Sequence, residues 1–154
     1  MKYIRLVLII LCLFTGISSK AANNDSLDVV KAANAFITAF NNFDWPTFKA
    51  AFTNDATIFY PIWDKPKRVT GRTDIDAAWT NAFPEFKDPN NQRRLEISPK
   101  DIHIQIYGRT AILTFHLGSG ANNLARRTLV MIKEKKIWKI AHLHASIVRN
   151  DNPN

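Results

Sequence analysis

The chain has one cysteine, Cys12, and it stands in the first apolar run. Everything beyond that run therefore lacks an internal disulfide, a catalytic thiol and cysteine-held zinc. Glycine is scarce, 5 in 154 residues, and none sits in a phosphate-binding loop, a nucleophile elbow or a dinucleotide fingerprint. No cofactor is assigned. Acidic residues are outnumbered, 13 against 21 Lys and Arg, for a formal net charge of +8. The basic residues are nevertheless spread out (Arg93 and Arg94, Arg126 and Arg127, Lys133 to Lys139), and they form no basic helix or RNA-binding signature. Nucleic acid is thus not the expected partner, whereas a basic pocket for an acidic ligand fits the charge.

Long apolar runs are missing too. The stretch Leu6 to Phe14 falls well short of the roughly 20 residues needed to span a bilayer. With Lys2 and Arg5 before it and small or polar residues up to Ala22 after it, residues 1–22 read as a secretory signal peptide cleaved near Ala21 or Ala22. Leu11, not a small residue, precedes Cys12, which argues against lipidation. The expected mature protein is exported, periplasmic or secreted, with no membrane contact after cleavage. Lys2, Arg5 and Lys20 leave with the segment and take the formal charge from +8 to +5. What remains is one domain over 23–150 and a polar tail, 151–154; 46% hydrophobic residues in the whole chain suffice for a core.

Apolar residues at Val29, Ala33, Phe36, Ile37 and Phe40 recur at helical spacing, from an N-cap at Ser26 to Asn41 and Asn42. Asp44, with Pro46 in the first turn, opens a second short helix that buries Phe48, Ala51 and Phe52. Ala56 to Tyr60 reads as a strand stopped by Pro61. A loop with Pro66 and Gly71 leads to a third helix, capped by Thr73, whose apolar face is Ile75, Ala78, Trp79, Ala82 and Phe83. The period then changes to alternation in strands near Leu95–Tyr107, Thr110–Leu117, Leu124–Lys133 and Ile137–Val148, turned at Gly108-Arg109, Gly118–Asn123 and Lys135-Lys136. Helices first and a meander afterwards make an α+β domain.

This order, with "FNNFDWPTFKAAFTNDATIFYP", "VTGRTDIDAAW" and "RRTLVMIKEKKIWKIAHLHAS", resembles the SnoaL-like branch of the nuclear-transport-factor-2-like superfamily over nearly the whole mature chain. The resemblance implies a cone-shaped α+β barrel, three N-terminal helices packed on a strongly curved antiparallel sheet, with a pocket between them and a homodimer as the assembly. The closing Trp138, His142, His144 and Ser146 are similar to the pattern of the calcium/calmodulin-dependent protein kinase association domain. Isomerases, lyases, scaffolds and binders share this fold, so function has to be argued from the site.

The ketosteroid-isomerase mechanism of the superfamily needs a carboxylate base, a tyrosine and a protonated acid. The resemblance puts Tyr60, Phe36 and Arg126 at those places, so that mechanism is not expected. Uninterrupted alternation puts Trp138, Ile140, His142, His144 and Ser146 on one face of the last strand and Lys139, Ala141, Leu143, Ala145 and Ile147 on the other. The first face is expected in the pocket and the second in a dimer contact. His142 and His144 are the acid–base candidates, because imidazole titrates near neutrality. The two imidazoles, with His116 or His103 as a third, fall short of an assured zinc ligand set, and no metal is assigned. The expected ligand-binding residues are Tyr60, Trp63, Trp79, His116, Arg126, Arg127, His142 and His144, with one of the two arginines turned inward. They suit a small apolar or amphipathic molecule, with or without an acid group. The readings left open are binding without turnover, an isomerase, lyase or hydrolase using His142 or His144, and a dimeric assembly module.

Overall fold

A computed structural model describes residues 17–60, 68–118 and 124–147. Most of the proposed signal peptide, Trp63 with its proline-bounded loop, most of the Gly118–Asn123 loop and the tail at 151–154 lie outside the described residues. No described helix is long and apolar enough to cross a membrane.

The first helix, α1, runs Ile17–Asn42 and starts well before the expected cap, so Ser26 is an interior residue. No proline or glycine interrupts the chain there, and nothing local stops the helix earlier. It ends where the asparagines stand: Phe43 takes a left-handed φ of 55°, Phe43 N–H donates to Phe40 O at 3.1 Å and Asp44 N–H to Ala39 O at 2.8 Å. That pair of bonds closes a helix in the Schellman manner. The Asp44 carboxylate then accepts from Thr47 N–H and caps α2, Trp45–Ala50, with Pro46 in its first turn.

Strand β1 (Phe52–Phe59) and a two-residue β2 (Val69–Thr70) form a hairpin at one sheet edge. Helix α3 is Arg72–Ala82. Its N-cap is Gly71 and not Thr73: a φ of 83°, open to glycine without strain, turns the chain into the helix. Arg72 ties this corner down, donating to Phe52 O at 3.1 Å and to Lys49 O. A 3₁₀ turn, Pro84–Lys87, follows and buries Phe86.

Strands β3 (Lys100–Tyr107), β4 (Thr110–Leu117), β5 (Ala125–Glu134) and β6 (Ile137–Ile147) complete a six-stranded sheet in the order β2-β1-β6-β5-β4-β3. The meander is as expected, and Lys135 and Lys136 make its tight turn with φ of 46° and 72°. Two expectations are corrected. The sheet is mixed, because β1 returns along β6 in parallel after the helices. It is also an open, curled sheet and not a closed barrel, since β2 and β3 remain its edges.

The core lies between the helices and the concave side of the sheet. Phe48, completely buried, is its aromatic centre, with ring centroids of Phe36 at 5.1 Å, Phe86 at 4.8 Å and Trp79 at 4.9 Å. At the other end Lys133 pairs with Asp25 and sits 5.7 Å from the Trp138 ring, fixing α1 on β5 and β6.

One irregularity in β6 controls the site. Val130 pairs with His142, but its neighbour Met131 pairs with Ile140, so Ala141 is an extra residue, a β-bulge. Before it, Trp138 and Ile140 point into the core; after it, Leu143 and Ala145 do. Simple alternation is therefore broken in mid-strand. His142, His144 and Ser146 turn to the convex outer side, and the expected small apolar dimer face at Leu143 and Ala145 is instead buried.

Candidate active or binding cavity

Between α1, α3 and the concave sheet lies a cavity of about 150 Å³. Helix α1 supplies Phe36, Ile37 and Phe40, and the α3 end supplies Trp79 and Phe83. The sheet contributes Phe115 and Leu117 from β4, Leu129 from β5, and Leu143 and Ala145 from β6. Ile97 closes one side from the irregular segment before β3. This segment is held by Asn41, whose side chain donates to Ile97 O at 3.1 Å and accepts from Ile97 N–H at 2.9 Å.

Three polar groups enter the apolar wall: Tyr60, Trp79 and Arg127. The Tyr60 and Trp79 rings meet edge to face with centroids 5.0 Å apart. Tyr60 Oη and Trp79 Nε1 are both buried without a hydrogen-bond partner among the described residues. Burial pushes the Tyr60 phenol far above its ordinary value, so it stays protonated and is a donor, not a base. Arg127 uses one terminal nitrogen, Nη1, on Arg126 O at 2.8 Å and Ser146 O at 3.3 Å. Its Nε and Nη2 edge has no partner among the described residues. Burial pulls the guanidinium below its ordinary value, the mark of a cation short of compensation. Buried donors without partners thus belong to residues that line a space with no acid in its described wall.

Of the residues expected in the pocket, Tyr60, Trp79 and Arg127 line it, and Arg127 is the inward member of its pair. His142, His144, His116 and Arg126 do not; all four project from the outer side, a correction that follows from the bulge for the β6 pair and from the register of β4 and β5 for the rest. His142 Nδ1 lies 2.7 Å from Thr57 Oγ1, and the Phe59 ring is 5.7 Å from the ring centres of both β6 histidines. Leu129, Phe115 and Leu117 could have been found by alternation from Arg127 and Leu113. Ile97 carries no periodic signal.

The curled sheet, the three helices and the apolar cavity between them define an α+β cone with an internal site. A model of the SnoaL-like domain matches residues 29–150, and the chain belongs to that family. No curated protein matches the chain in sequence. Among solved structures it is similar to a candidate dehydratase of the nuclear-transport-factor-2-like family from Streptomyces avermitilis, with TM-score 0.67 and 20% identity over 82% of this chain and 97% of that one. It is similar also to a protein of unknown function of the same family from Pseudomonas putida, with TM-score 0.66 and 15% identity over 87% and 98% of the two chains. A third is a candidate calcium/calmodulin-dependent protein kinase type II association domain from Thiobacillus denitrificans, with TM-score 0.61 and 19% identity over 77% and 93%. Identities this low speak to the fold alone.

Proposed function

We propose that this SnoaL-like domain binds a compact, apolar-bodied carboxylic acid in its internal cavity and does not transform it. The observation that carries the reading is that three residues lining an otherwise apolar cavity hold donors without partners among the described residues, Tyr60 Oη, Trp79 Nε1 and the Nε and Nη2 edge of Arg127. Buried donors without acceptors are costly, and a ligand carboxylate satisfies several at once, the guanidinium edge bidentately. Size supports a small molecule: an apolar cavity of about 150 Å³ accommodates benzene. Benzoate, phenylacetate and short branched-chain acids are therefore the natural probes. Binding is favoured over turnover because the described lining contains no Asp, Glu or His, so nothing in it can take a proton at neutral pH.

The N-terminal pattern Lys2, Arg5, Leu6–Phe14 and Ala21-Ala22 supports export before the ligand is met, and an intact Met1 in the mass of the mature protein would refute that part. Native mass spectrometry of protein purified from its host tests the binding reading, with calorimetry of each acid against its amide. A retained small acid, or an acid bound at least about tenfold more tightly than its amide, is the expected result. Equal affinities for acid and amide would overturn it.

A further inference from the structure

The cavity has two unlike walls. On the helix side Phe36 and Phe40 of α1, Trp79 and Phe83 at α3, and Tyr60 just after β1 supply aromatic rings. Several of these meet edge to face: Phe40 and Phe83 have centroids 4.9 Å apart at 87°, Phe40 and Trp79 5.3 Å apart at 72°, and Tyr60 and Trp79 5.0 Å apart at 61°. On the sheet side the pairing register lays two rows. Phe115, Arg127 and Ala145 form one, and Leu129 and Leu143 belong to the next. Ala145 is the one small side chain in the described lining, and it stands directly opposite Arg127 across the β5–β6 ladder. Side chains so placed are neighbours on their face of the sheet. The bond from Arg127 Nη1 to Ser146 O, 3.3 Å, also draws the guanidinium towards β6. The room that a larger residue would fill at 145 therefore adjoins the cation.

We infer that the ligand is an arenecarboxylic acid, a carboxylate carried on a single flat aromatic ring, and that Ala145 is the residue that admits its acid group. The inference rests on the carboxylate-binding reading above and narrows it. The carboxylate takes the room over Ala145 beside Arg127, and the ring lies between Leu129 and Leu143 on the sheet and the aromatic wall of Phe40, Trp79 and Phe83.

Hydrophobicity does not make this choice. A saturated ring of the same carbon skeleton buries at least as much apolar surface, so area alone predicts that it binds at least as well. Ring electrostatics does make it. In an edge-to-face pair the positive edge of one ring lies on the negative face of the other, and an aromatic guest extends a wall already built from such pairs. A puckered aliphatic ring has no π face to offer and gains dispersion only. Two additional edge-to-face pairs favour the aromatic guest roughly 5- to 150-fold over its saturated counterpart. Size agrees, since a cavity of about 150 Å³ holds one benzene-sized ring.

Calorimetry at neutral pH with benzoate, cyclohexanecarboxylate and their amides, on protein purified from its host and dialysed, tests the ring. Benzoate should bind at least about fivefold more tightly than cyclohexanecarboxylate, and Phe83→Leu, which keeps apolar bulk but removes one ring, should lower that ratio at least about twofold. Two variants test Ala145. Ala145→Val should weaken benzoate at least about tenfold by filling the room beside Arg127. Ala145→Gly should improve 2-methylbenzoate relative to benzoate at least about threefold, because the added methyl group adjoins the carboxylate; it carries the test where Ala145→Val fails to fold. Cyclohexanecarboxylate binding as tightly as benzoate, with both acids tighter than their amides, would overturn the choice of ring and leave the carboxylate reading standing. Acids no tighter than their amides would overturn both. Unchanged benzoate affinity in folded Ala145→Val, or no relative gain for 2-methylbenzoate in Ala145→Gly, would overturn the role of Ala145.

Discussion

Arg127→Met is the perturbation that isolates the cationic end of the cavity. Methionine keeps much of the apolar stem and removes the guanidinium. For a bound carboxylate the loss is the bidentate bond to the Nε and Nη2 edge. A hydrogen bond to a charged group contributes about 1.5–3 kcal/mol, so acid affinity should fall roughly 10- to 150-fold. The amide of the same acid gains little from the cation, and its affinity should change by less than about threefold. Stability should move little, because two effects oppose. The Nη1 bonds to Arg126 O and Ser146 O are lost, while a half-buried cation without an acid partner among the described residues is removed. Their difference of about 1 kcal/mol or less corresponds to a melting shift of a few degrees. Arg127→Lys should recover part of the acid affinity but not all, since it restores charge without the fork. Calorimetry with benzoate and benzamide, beside a thermal melt, measures each quantity. Unchanged benzoate affinity in a folded Arg127→Met protein would refute the reasoning.

Phe48→Ala should cost about 3–5 kcal/mol in urea unfolding, because Phe48 is completely buried at the meeting point of the aromatic rings; a loss under about 1.5 kcal/mol would mean that the site collapses around the gap. Asn41→Ala removes both side-chain bonds to Ile97 and should cost about 1–3 kcal/mol, with faster amide exchange at Leu95 and Ile97 and weaker acid binding; unaltered exchange there would show that other contacts hold the cavity wall.

The helices and the meander were legible because local signals decide them: Asp44 caps its helix whatever packs on it, and Lys135-Lys136 turns the chain within four residues. Tyr60 and Trp79 were legible as amphipathic side chains in apolar segments, whereas Arg127 was legible only as one of a pair with Arg126, because alternation alone does not say which of two neighbours faces inward. The start of α3 was misplaced because Thr73 has cap chemistry while Gly71 has the backbone freedom the corner requires, and the corner is set by Arg72 reaching Phe52 and Lys49. The parallel contact of β1 with β6 joins residues 85 apart, as in the Thr57–His142 bond, and leaves no local trace. Ile97 is held at the cavity by Asn41, 56 residues away.

The exchange of faces in β6 is a different kind of failure. Alternation is a rule about one strand, whereas a bulge is a property of a pair: Ala141 is extra only in relation to Val130 and Met131. Had the strand alternated without it, His142 and His144 would stand in the cavity wall, where two imidazoles would need partners that Leu129 and Phe115 cannot give. Leu143 and Ala145 would then lie outside. With the bulge, small and branched apolar side chains close the cavity, and Ala145 leaves volume in it. The same inserted residue places His142 and His144 on the outer surface, beside Thr57 and Phe59. A bulge also increases local twist, which helps the sheet curl over the helices and keeps the space between them open. One residue thus separates an apolar interior from a titratable exterior, and the chemistry available to each side follows from that separation.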